Sequence, residues 1–78
     1  SPNGLNFAAK LNLLRSRHEK VQLTWRNKNA RMVNTGYIGE FQRGPEGTFQ
    51  ILLNNENGEA ITGPISVEDI LHVGKYFK

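Results

Sequence analysis

The sequence predicts a mainly β fold, a small five-stranded barrel preceded by one α-helix. Three observations carry this expectation. Apolar residues recur at helical spacing only near the start of the chain, an alternation of period two takes over at Val21, and turn residues punctuate the remainder at short intervals. A chain of 78 residues is expected to form one domain over 1–78, and 37% hydrophobic residues give it a modest core with little surplus.

Phe7, Leu11 and Leu14 stand at i, i+4 and i+7 with Ala8 and Leu13 beside them, which predicts a short amphipathic helix over about residues 5–17. Asn3 or Asn6 is expected to cap it. Arg15, Arg17 and Lys20 fall near its C-terminal end, where the helix dipole favours positive charge. The barrel is expected over about residues 20–74. Val21, Leu23 and Trp25 alternate with Gln22, Thr24 and Arg26 as a half-buried first strand. Asn27-Lys28-Asn29 then supplies a hairpin turn, since Asn tolerates positive φ. A long second strand over 30–41 contains Gly36 and Gly39, which let it bend where a side chain would clash.

Gly44-Pro45-Glu46-Gly47 reads as a turn, and Thr48 opens a third strand with Phe49, Ile51 and Leu53 on one face. The stretch Asn54-Asn55-Glu56-Asn57-Gly58 ends in the Asn-Gly turn signal, and a short fourth strand is expected over 59–62. After Gly63-Pro64, Ser66 can cap a single helical turn that begins with Glu68 and Asp69, and Ile70, Leu71 and Val73 close as the fifth strand.

Gly36-Tyr37-Ile38-Gly39-Glu40, Phe49-Gln50-Ile51-Leu52-Leu53 and Ile65-Ser66-Val67-Glu68-Asp69-Ile70 resemble the bend, central strand and closing segment of small bacterial SH3-like and Sm-like barrels. The order of elements also resembles the bacterial Veg and YolD-like proteins, which are small regulators. The resemblance covers about residues 5–73 and implies an SH3-like, Sm-like fold with an N-terminal helix. Where Sm proteins carry an acidic residue and an asparagine that bind a base, this chain has Gln42-Arg43-Gly44-Pro45-Glu46, so no binding residue is carried over.

The net charge of +3 conceals two halves of opposite sign. Residues 1–43 hold eight Lys or Arg against two Glu, whereas residues 44–78 hold two Lys against five acids. A basic half can track phosphates through counterion release, and opposed halves can equally attract each other between copies. Arg26, Lys28 and Arg31 flank one tight turn, with Arg43 expected nearby if the long strand curls back; three cations there can grip successive phosphates. Arg15, Arg17 and Lys20 form a second basic group with His18 at the helix end, and Tyr37, among glycines, is the candidate exposed aromatic for stacking. Trp25 shares the apolar parity of its strand and is expected in the core or partly in it, rather than as a stacking platform.

No cysteine is present, which removes disulfides, thiolate nucleophiles and cysteine-ligated zinc. His18 and His72 are the only histidines and lack metal-ligand spacing, so neither a metal nor another cofactor is expected. Glu68 and Asp69 read as partners of a helix dipole rather than as an acid and base, and no catalytic set is present; a non-enzymatic protein is expected. There is neither a membrane-length apolar run nor a signal-like N-terminus, so the expectation is a soluble cytoplasmic protein without a membrane partner. Two functions follow. The first is binding of nucleic acid, RNA or single strands rather than duplex DNA, through the basic hairpin. The second is a protein-interaction or homo-oligomerisation module that uses exposed strand edges.

Overall fold

The computed structural model describes residues 2–76. In chain order the elements are α1 (Pro2–Ser16), β1 (Lys20–Asn27), β2 (Ala30–Arg43), a 3-10 turn Pro45–Gly47, β3 (Phe49–Asn54), β4 (Ile65–Ser66), a second 3-10 turn Val67–Asp69, and β5 (Ile70–Lys75). The five strands form one antiparallel sheet in the order β4-β3-β2-β1-β5. Among the described residues no ladder joins β4 to β5, so the sheet is open along that seam. The molecule is small, compact and mainly β, with a Cα radius of gyration of 11.7 Å.

The helix begins at Pro2, where the fixed φ of proline suits a first turn; Asn3 and Asn6, the expected caps, fall within its span, and their side chains lie outside the described ones. Its far end is a Schellman motif: His18 N–H donates to the Arg15 carbonyl and Glu19 N–H to the Leu14 carbonyl, with His18 itself at a φ of 52°. The expected spacing sets the docking face. Leu11 and Leu14 are buried and Phe7 packs against the same cluster, while Leu13 points outward. From the sheet, Val21, Leu23, Ile38, Ile51, Leu53, Ile65, Ile70 and Val73 complete the core.

Two β-bulges shape the sheet. In β2, Ile38 pairs with Leu53 but Phe41 pairs with Ile51, so one extra residue sits at Gly39-Glu40. This resets the alternation and turns both Ile38 and Phe41 toward the core although they are three residues apart. In β5, Thr24 pairs with His72 and Trp25 with Ile70, which leaves Leu71 as the extra residue and brings Ile70 and Val73 inward together. The glycines of β2 are needed for a close approach: a Cβ on Gly36 would lie 2.5 Å from the Asn54 carbonyl oxygen.

The fourth strand differs from expectation. Residues 59–62 run beside the end of β3 through a bridge between Asn54 and Ala60 and an Ile61 N–H bond to the Leu53 carbonyl. Gly63-Pro64 then breaks the run, because proline lacks a donor, and pairing resumes as Ile65–Ser66 opposite Ile51 and Gln50. The Ser66 cap forms as expected, its hydroxyl accepting from Glu68 N–H.

Candidate nucleic-acid interface

The hairpin register builds the site. Arg26 pairs with Arg31, Thr24 with Val33, Gln22 with Thr35 and Lys20 with Tyr37, and each pair lies on the sheet face opposite Val21 and Leu23. On the neighbouring strand His72 lies beside Thr24 and Gly74 beside Gln22, and Tyr76 N–H donates to the Lys20 carbonyl. The result is a face about 20 Å long, from a strand rise of about 3.3 Å per residue. Arginines stand at one end and tyrosines at the other. No carboxylate occupies any of these strand positions.

At the turn end, Arg26, Lys28 and Arg31 are all exposed, and among the described residues none of them forms an ion pair. Like charges directly opposite one another on paired strands repel, so this tip is electrostatically unsatisfied without an anion. Lys28 sits in the left-handed region with φ of 57°, whereas Asn was expected there. The reason is the register: Asn27 pairs with Ala30 as the last rung of the ladder, and the two-residue loop is Lys28-Asn29.

The other candidates are dispersed. Lys20 donates to the Glu56 carboxylate at 3.0 Å and stands 5.2 Å from the Tyr76 ring centroid. The hydrogen bond to Glu56 holds the Lys20 ammonium above its ordinary value, and the same bond, aided by backbone hydrogen bonding, holds Glu56 below its own. The stabilisation this pair provides is lost as pH falls through the lowered Glu56 value or rises through the raised Lys20 value, and is present throughout the range between. Arg43 lies at the far end of β2, opposite Phe49, with its guanidinium 5.2 Å from that ring. The structure separates it from the hairpin along a strand that bends. Arg15 is held against Asn12 by two hydrogen bonds to Oδ1, and Arg17 is exposed just past the helix.

Trp25 is half-buried against the core, and its Nε1 donates to Asn34 Oδ1 at 2.8 Å. Its ring therefore belongs to the inner face. Sequence reasoning weighed His72 only as a metal ligand and did not single out Tyr76. Their only signal is their place beside Thr24 and Lys20, which requires the β1–β5 register to be known. Among the described residues no three His, Asp or Glu side chains are grouped to hold a metal ion, and no helix is long and apolar enough to cross a membrane. Comparison with protein-family models, curated proteins and solved structures gave no match.

Proposed function

We propose that this chain is a non-catalytic, regulatory SH3-like or Sm-like barrel that binds single-stranded nucleic acid, RNA rather than duplex DNA, along the outer face of β1, β2 and β5. The observation that carries the reading is the Arg26–Arg31 rung with Lys28 at its tip, none of them in an ion pair among the described residues, on strand positions that hold no carboxylate. Cations at one end hold phosphates, and the half-buried Tyr37 and exposed Tyr76 at the other offer rings to bases that a duplex would keep stacked. Closure into a barrel is supported by the turn Val67–Asp69, which touches both β1 and β3 although β2 lies between them, and by Ile65 and Ile70 sharing one core. A nucleic-acid ligand fits the cytoplasmic location expected from the sequence.

The test is fluorescence anisotropy with a short single-stranded RNA over a range of salt, comparing the wild type with the triple variant Arg26→Gln, Lys28→Gln, Arg31→Gln. At about 0.7 counterions released per phosphate contact on a single strand, the loss of three contacts should make the slope of log affinity against log salt shallower by about 2. An unchanged slope would refute the hairpin as the phosphate grip. A second reading, self-association or protein binding, is favoured by the edges of the sheet: β4 and β5 each pair on one side only among the described residues. That reading expects light scattering to show an assembly that survives the triple substitution and high salt.

A further inference from the structure

A groove of about 740 Å³ lies between the end of α1, the bend of β2 and the loop after β3. Its volume falls within the roughly 300–1,000 Å³ of small-molecule sites. Tyr37 is half-buried in its wall, and Asn54 lies across Gly39, where a Cβ would come within 2.9 Å of its Nδ2. Asn55 is committed to its own turn, accepting from the N–H groups of Asn57 and Glu59 and donating to the Glu59 carboxylate. By contrast, the side-chain amides of Asn54 and Asn57 make no hydrogen bond among the described residues, although both face the groove. Each offers a donor and an acceptor together.

The charges on the walls cancel and so do not favour a phosphate. Glu56 is held by Lys20 at 3.0 Å and Glu19 lies 3.6 Å from Lys75, which leaves Glu40 against Arg15 and no excess of positive charge. Nothing on the walls draws an anion, whereas an uncharged flat heterocycle can stack on Tyr37 and pair its edge with the two amides. The groove also begins at Tyr37, the end of the basic face farthest from the Arg26–Arg31 rung. A strand whose phosphates are held at the hairpin would reach it with a base.

We infer that this groove is a recognition site for one unpaired nucleobase, distinct from the phosphate grip at the hairpin. Its biological ligand rests on the nucleic-acid reading, but its chemistry can be tested without phosphate. The experiment titrates uridine, cytidine, adenosine and guanosine, each as the free nucleoside, into the isotope-labelled protein and follows the asparagine side-chain amides and backbone resonances by NMR. At least one nucleoside should shift the Asn54 and Asn57 side-chain amides saturably, with an affinity that high salt leaves unchanged. Asn57→Ala, at an exposed loop position, and Tyr37→Leu should each weaken that binding, the latter by about five- to a hundredfold if stacking contributes as it does elsewhere.

The two readings fail separately. If no nucleoside shifts the groove at millimolar concentration while RNA still binds with a salt slope set by the hairpin arginines, the groove is not a base site and the hairpin reading stands. If a nucleoside saturates the groove but RNA affinity ignores the triple substitution, the base site stands and the hairpin reading falls. Shifts confined to residues outside the groove would also overturn the inference.

Discussion

At the scale of single residues, Lys28 sets stability against the proposed function. A left-handed backbone strains a residue with a Cβ, at a cost of about 1–3 kcal/mol, and its charge adds to the repulsion between Arg26 and Arg31. Glycine would remove both penalties but lose more backbone freedom on folding, by about 0.5–1 kcal/mol. Lys28→Gly is therefore expected to raise stability by about 0.5–1.5 kcal/mol in denaturant unfolding, from those opposing contributions, while weakening RNA binding. Unchanged stability together with unchanged affinity would show that the lysine is neither strained nor used. The chemistry of the turn was legible in the sequence, but the residue that takes the positive φ was not, because that depends on whether Asn27 is the last rung or the first loop residue. Lys20 illustrates the opposite limit. Its basic character was plain, yet its partner Glu56 lies 36 residues away, and only the fold shows that the cation is already neutralised.

At the scale of elements, the helix was readable because its packing follows its own period. Phe7, Leu11 and Leu14 form one stripe, and the structure buries Leu11 completely while leaving Leu13 49% exposed. Leu11→Ala should cost about 2–5 kcal/mol of stability, whereas Leu13→Ala should stay within about 0.5 kcal/mol. Equal losses measured by thermal or denaturant unfolding would mean that the helix docks through a different face. Strands were legible where alternation is unbroken, as in β1, and less so where a bulge resets it. Gly39-Glu40 and Leu71 each add one residue to a ladder, so Ile38 with Phe41, and Ile70 with Val73, violate a period of two while still facing one core. No local composition announces a bulge at Leu71. The expected strand over 59–62 was displaced as well: Ile61 is 44% exposed, and the ladder continues only after Pro64.

At the scale of the whole molecule, the charge asymmetry of the sequence becomes a spatial one only through strand pairing. The pairing of β1 with β2 collects Lys20, Arg26 and Arg31 on one face, and the addition of β5 brings His72 and Tyr76 beside them. The hairpin cations could be named from the sequence because the turn that joins them is local. The remainder of the face could not, since it depends on register between segments about 50 residues apart. Arg43 marks the same boundary: it belongs to the basic half of the chain, but the bulged β2 carries it to the opposite end, against Phe49. The resulting polarity has cations at one end and aromatic rings at the other, and the central claim is that the cations grip phosphates. It is tested most directly by mapping the backbone resonances that shift when a short single-stranded RNA is titrated into the labelled protein at low salt. The account predicts shifts along Arg26, Lys28, Arg31, Thr24 and Tyr37 that disappear at high salt from the hairpin first. Shifts confined to the edges of β4 and β5, or none at all, would contradict it.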